Sequence, residues 1–141
     1  MNRPSLIFKK SCRGFTLMEL VVAMVVVVIL ATLAIPVYNQ HVIKSRRGDA
    51  YATLQMVALA QEQWRAEHTT YGSLANVWPQ GVSKGGYYTI AISNVTATTF
   101  MVTATPAANS SQLKDTSCLV LQLDQNGPVV VTNAQKTCWN K

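Results

Sequence analysis

The sequence predicts an α+β chain: one long N-terminal α-helix, its first half apolar enough to span a membrane, packed through its second half on a four-stranded antiparallel β-sheet. Three observations predict it. Phe15 to Val37 is apolar apart from one carboxylate, Glu19. Helical spacing then continues through Ala50, Leu54, Val57, Gln61, Trp64 and His68, and residues 87–132 alternate with period two between turn signals.

Glu19 is the residue that asks for an explanation. An ionised carboxylate in hydrocarbon costs a few kcal/mol at least and marks a function with a specific partner. The next basic residue, Lys44, is far beyond one helical reach, so the segment itself supplies no cation. Cutting between Gly14 and Phe15 would create an α-amino group four residues before Glu19, a rise of about 6 Å along a helix. A neighbouring chain displaced by about one turn could then pair its amine with this carboxylate. The competing reading is an ordinary secretory signal cut after Thr32-Leu33-Ala34, against which stands an acid inside the apolar region.

Arg13-Gly14-Phe15-Thr16-Leu17-x-Glu19-Leu20 followed by an apolar helix resembles the class III signal of type IV pilins. The resemblance implies that a prepilin peptidase cuts after Gly14 and methylates Phe15, and that Glu19 is needed for assembly. It divides the chain into a leader, 1–14, a transmembrane and assembly half, 15–43, and a globular domain, 44–141. The family often has a glycine in mid-helix, where this chain has Val25-Val26-Val27-Val28. Pro36, which lacks the amide donor and clashes with the preceding turn, is therefore the expected helix kink.

The formal charge of +6 suggests nucleic acid until it is divided. Arg3, Lys9, Lys10 and Arg13 precede the expected cut, which leaves +2 on the remainder. Those four face Lys44, Arg46 and Arg47 across the apolar segment, so charge leaves the topology nearly undecided. Cysteine breaks the tie: Cys12 falls in the leader, and Cys118 and Cys138 form an even pair expected to be bridged in an oxidising compartment. The C-terminal domain should therefore face the periplasm or the outside.

The helix is expected to run for about 53 residues, with Arg47, Asp49, Glu62, Arg65 and Glu67 turned away from the packed face. Thr69 to Gly86, rich in Gly, Ser and Asn, reads as an irregular loop. Strands are expected at Tyr87–Ile92, Thr98–Thr105 with Pro106 as the stop, Cys118–Leu123 and Val129–Thr132, the last two joined by a turn at Asn126-Gly127.

Ala60-Gln61-Glu62-Gln63-Trp64, Tyr87-Tyr88-Thr89-Ile90, Leu121-x-Leu123-Asp124-Gln125-x-Gly127 and Cys138-Trp139 are similar to PilE-like minor pilins of type IVa systems. That likeness implies a pilin fold and a minor structural subunit that supports pilus biogenesis, adhesion, twitching motility or DNA uptake. The implied partners are other pilin subunits, the prepilin peptidase and the inner-membrane assembly machinery. The implied location is the inner membrane first and the extracellular pilus afterwards. Two alternatives stand beside it, a DNA-receptor minor pilin and a pseudopilin of type II secretion. For DNA the candidate contacts are Lys84, Lys114 and Lys136, with Trp139, whose other reading is packing over the bridge.

Catalysis finds no constellation. His41 and His68 are 27 residues apart on one helix, with no cysteine or carboxylate at ligand spacing and no nucleophile elbow. Neither an enzyme nor a cofactor or metal site is expected.

Overall fold

The computed structural model describes residues 14–139. The leader residues Arg3, Lys9, Lys10, Cys12 and Arg13, and Lys141 at the other end, lie outside the described residues. The chain forms two compact units that meet between Tyr38 and Asn39. Helix α1 spans Leu17–Glu67, 51 residues.

In the first unit the helix is exposed almost throughout, from Leu17 to Val37, and it is long and apolar enough to cross a membrane. Thr16 starts it, accepting the Glu19 amide on its hydroxyl at 3.2 Å, the bond of an N-cap residue.

In the second unit the buried stripe of α1 is Ile43, Ala50, Leu54, Val57 and Gln61, spaced three, four or seven apart as one helical face requires, with Thr53 beside Leu54. It lies against an antiparallel sheet of strand order β1-β2-β3-β4: β1 Tyr88–Ser93, β2 Met101–Pro106, β3 Leu121–Asp124 and β4 Gly127–Pro128. Period-two alternation sends Tyr88, Ile90, Val102, Ala104, Leu121 and Leu123 inward, with Ile90 opposite Ala104 and Val102 opposite Leu123. Large residues thus face small or β-branched ones across the ladder. Each buried Leu or Ile side chain contributes about 1.5–3 kcal/mol relative to exposure.

Several boundaries differ from expectation, for local reasons. Thr98–Phe100 stay out of β2 because the Thr96 hydroxyl accepts the amides of Thr98 and Thr99, at 3.1 and 2.9 Å. Such side-chain bonds compete with the ladder. Pro106 does not end β2 from outside; it is the last paired residue, opposite Tyr88 and beyond the reach of β3. The third strand begins at Leu121, after Cys118 has turned on a bond to the Asp115 carbonyl at 2.9 Å.

Val129–Thr132 is not a strand. Only the Val129 amide continues the ladder, to Gln122 at 2.9 Å, and Val131 is 78% exposed. Thr132 and Gln135 instead cap each other's amides, at 3.2 Å in both directions, and start helix α3, Asn133–Trp139. That reciprocal pair is a capping box, readable as Thr-x-x-Gln in the sequence. Helix α3 carries Cys138 back to Cys118, and the two are bridged with their Cα atoms 5.6 Å apart. Closing a loop of 20 residues stabilises the fold by about 3 kcal/mol in the chain-entropy model. The expected irregular loop 69–86 holds one further helical turn, α2, Leu74–Val77, and a single bridge between Val82 and Thr89.

Candidate functional site

In the first unit the segment singled out in the sequence stands at the mouth of α1. Gly14, Phe15 and Thr16 precede the helix in non-helical conformation, and Phe15 is 82% exposed. Among the described residues a methyl group on Gly14 would meet nothing within 4 Å. Glu19 is the third helical residue, its amide held by Thr16, and Leu20 donates to the Thr16 carbonyl at 3.2 Å. The spacing Thr16-x-x-Glu19 is itself a capping signature. The reading that the segment gives Glu19 no compensation needs amending. The helix N-terminus carries about half a positive charge, which favours an acid in the first turn. It offsets part of a full charge and leaves the rest for a partner.

Pro36 lies inside α1 and brings no amide to the Thr32 carbonyl four residues earlier. The Thr32 hydroxyl donates to Ile29 instead of offsetting this, at 2.7 Å.

In the second unit two clefts lie along α1. The first is lined by Arg46, Gly85–Tyr87 and residues 107–111. The Arg46 guanidinium sits 4.5 Å from the centre of the Tyr87 ring, a cation–π contact, and donates to the Ser111 hydroxyl. Asp49 shapes its wall, accepting the Ser83 hydroxyl at 2.5 Å and the Gly85 amide at 2.8 Å. A Cβ at Gly85 would stand 2.9 Å from that carboxylate, so the loop needs glycine there. Beside it Arg47 makes a two-pronged bond to buried Asp115, at 2.5 and 2.6 Å, which raises the Arg47 pKa. Lys44, Arg46, Lys84 and Lys114 have no carboxylate partner among the described residues.

The second cleft runs between the far part of α1 and the β3–β4 turn, lined by Leu59, Glu62, Phe100 and residues 123–128. Glu62 accepts the Tyr71 hydroxyl at 3.0 Å, and Asp124 accepts the Asn126 amide at 2.7 Å.

Arg47 and Asp49 were expected to point away from the packed face, and here the structure corrects the sequence reading. The loops at Ser83–Gly86 and Ser111–Asp115 wrap past the apolar stripe and engage both. Helical periodicity registers only the apolar stripe, so it missed them together with Arg46. Of the suggested nucleic-acid contacts, Lys84, Lys114 and Lys136 are exposed, Lys84 next in sequence to Gly85 of the first cleft. Trp139 is engaged otherwise, stacked on Tyr51 with ring centres 5.1 Å apart. The His68 ring stacks on Trp64 at 3.7 Å, and among the described residues no group of three His, Cys, Asp or Glu could hold a metal.

Residues 36–122 match the family model described as type IV minor pilin ComP, DNA uptake sequence receptor, and residues 9–35 match the prokaryotic N-terminal methylation motif. The type IV major fimbrial protein FimA of Dichelobacter nodosus is 32% identical over 113 residues, 77% of this chain and 64% of the relative. The type IV major pilin protein PilA of Myxococcus xanthus (strain DK1622) is 31% identical over 81 residues, 57% of this chain and 37% of the relative. The chain thus spans less than two thirds of the length of either relative.

Proposed function

The chain belongs to the type IV pilin family, and from that premise we propose that it is a minor structural subunit of a type IV pilus. Its precursor is anchored in the inner membrane with the C-terminal domain in the periplasm, is cut after Gly14 and methylated on Phe15 by a prepilin peptidase, and is packed into the fibre by the inner-membrane assembly machinery. It has no catalytic role, and serves adhesion, twitching motility or DNA uptake by the whole fibre.

One observation carries this reading: an apolar helix exposed nearly all round from Leu17 to Val37, bearing a single carboxylate in its first turn. Such a surface must be covered, by lipid before assembly and by neighbouring helices after it. The part of the Glu19 charge that the helix terminus leaves uncompensated calls for a cation, which the new amine of a neighbouring Phe15 supplies. Pro36 is where α1 yields during packing, because its missing amide weakens the ladder. The Cys118–Cys138 bridge supports the periplasmic placement. Intact-mass and N-terminal analysis of the protein in sheared fibres tests the reading. Methylated Phe15 as first residue is expected; a chain starting at Ile35, or absent from fibres, refutes it.

A second reading is favoured by the family description, by Arg46 in the first cleft and by the exposed lysines Lys84 and Lys114: a receptor for DNA. Arg46, Lys84 and Lys114 would release counterions from phosphates and Tyr87 would offer a stacking face. Retention of duplex DNA by the chain at low salt tests it, and no retention there removes it.

A further inference from the structure

Ile43 is the first buried residue of α1, and the 3₁₀ turn Ser111–Lys114 is fastened there. The buried Gln112 amide donates to the Ile43 carbonyl at 3.1 Å, Arg46 donates to the Ser111 hydroxyl, and Arg47 is paired with Asp115. The turn thus forms the rim of the domain where the chain enters it. What the rim leaves exposed is Lys44, Leu113 and Lys114, Leu113 at 49% although the adjoining Gln112 is wholly buried. Lys44 lies one turn before Arg47 on the same helical face, so it borders the turn that Arg47 holds. Neither lysine has a carboxylate partner among the described residues. The two acids at this end are occupied, Asp115 by Arg47 and Asp49 by the Ser83 hydroxyl and the Gly85 amide.

An apolar side chain between two unpaired ammonium groups has the composition of a membrane-surface contact. Chain length brings it to one. As a helix, Leu17 to Val37 rises about 32 Å, the thickness of a bilayer's hydrocarbon layer, which puts Tyr38, 69% exposed, at the headgroup level where tyrosine is enriched. Ile43 follows five residues later, at most about 18 Å of chain away. We propose that Lys44, Leu113 and Lys114 form a docking surface for anionic phospholipid of the leaflet from which the chain emerges, Leu113 entering the acyl boundary and the two lysines meeting headgroup phosphates. The inference rests on the membrane-anchored precursor of the pilus reading, and extraction into a fibre must break the contact. Arg47 and Asp115 cancel, and Lys44, Arg46 and Lys114 outnumber Asp49, so the rim carries the sign that such headgroups attract. Duplex DNA would meet the lysines equally well but offers no apolar layer for Leu113, which is why lipid is the occupant.

The test reconstitutes the full chain in vesicles of phosphatidylcholine, with or without phosphatidylglycerol, the acyl chains brominated near the headgroup. Leu113→Trp places an indole on the rim, and its quenching, less that of the native tryptophans in the unaltered chain, reports docking. Quenching is expected with phosphatidylglycerol and not without it, and about 1 M salt, where the screening length falls to about 3 Å, should relieve it. Added to Leu113→Trp, Lys44→Ser and Lys114→Ser should each lower the ratio of docked to undocked chain about fivefold, the loss of one cation at an anionic surface. Lys136→Ser, at an exposed position of α3, should leave that ratio unchanged. Non-reducing electrophoresis checks that the Cys118–Cys138 bridge forms in each variant, and flotation with the vesicles checks the anchor. Quenching that is absent, or indifferent to phosphatidylglycerol or to both lysines, overturns the proposal. Chain that floats without such quenching loses this contact alone, and chain that does not float removes the anchored precursor as well. If Lys44→Ser with Lys114→Ser abolishes retention of duplex DNA and leaves the quenching as it was, the lysines belong to nucleic acid and the proposal falls.

Discussion

Arg47 and Asp115, 68 residues apart in sequence, face each other in a two-pronged ion pair whose side chains are 12% and 5% exposed. This bond fastens the turn before Cys118 to α1. Removing one partner of a buried pair leaves the other charged and unmatched, at a cost of about 3–5 kcal/mol, whereas replacing both with apolar groups of like size is often neutral. Asp115→Ala should therefore destabilise the chain by about 3 kcal/mol, and Arg47→Met with Asp115→Leu by much less. Denaturant melts of the three variants decide it; equal losses in the single and double variants would show that the pair is not what holds this turn.

Gln61 is a polar residue on the apolar face, and the reason is Gly72. Its amide donates to the Gly72 carbonyl at 2.7 Å and accepts the Gly72 amide at 2.8 Å, all buried. It acts as a short strand partner for one residue, where a Cβ would strike Val77 at 2.6 Å. Gln61→Leu keeps the volume and orphans two backbone groups, and should cost about 2–4 kcal/mol. Gln61→Glu keeps one acceptor but sets a carboxyl oxygen against the Gly72 carbonyl in a buried site, and should cost at least as much. Thermal melting of both variants measures the order.

Alkaline stability follows from two tyrosines, Tyr51 on α1 and Tyr88 on β1. Burial raises the pKa of Tyr51 and of Tyr88 above the ordinary value of 10.0. The folded chain then holds phenolic protons that the unfolded chain has released, so stability falls with rising pH in that range. It is fully present below pH about 10 and lost as pH climbs through the raised folded values. Melting temperature should be level from pH 7 to about 9.5 and decline above. Tyr88→Phe should flatten part of that decline, while lowering stability at neutral pH by the lost bond from Gln112, 2.8 Å long. A decline of unchanged slope in that variant would move its cause elsewhere.

Most of the fold was legible because its elements carry periodic signals. The stripe Ala50, Leu54, Val57, Gln61 announced the packed face, and the alternation at Tyr88–Ile92 announced its strand. The helix α3 was hidden by Val129-Val130-Val131, a run of strong strand formers, while the signal that wins, Thr132 capping with Gln135, is two residues in a polar stretch. Tertiary closure of the Cys118–Cys138 bridge overrides local preference there. The exposed apolar run Leu17 to Val37 with one acid in its first turn was legible because that pattern is local. The two clefts were not, since Arg46 meets Tyr87 and Ser111 only after loops distant in sequence fold over the helix.

At the N-terminus, processing and incorporation should separate. Gly14 stands outside the helix, and among the described residues a Cβ there meets nothing within 4 Å, so Gly14→Val is not expected to disturb α1. Its effect should therefore appear at the peptidase, as uncut chain accumulating in the membrane. Glu19 sits one turn inside, with its amide on Thr16 and its carboxylate at the positive end of α1. Glu19→Ala keeps the bond from its backbone amide to the Thr16 hydroxyl and leaves Gly14 and Phe15 unchanged, so it should be cut normally, yet fail to enter fibres. Glu19→Gln keeps shape and hydrogen bonding without the charge. If an amine of a neighbouring chain is the partner, the glutamine variant should fail almost as fully as alanine, since an ion pair in a low-dielectric setting loses its main attraction with the charge. If the helix terminus alone satisfies Glu19, glutamine should enter fibres at close to the normal level, because the dipole interaction is worth only about 0.3–1 kcal/mol. Immunoblots of membranes and of sheared fibres, run side by side, separate these outcomes; normal fibre content of Glu19→Ala would end the pairing model.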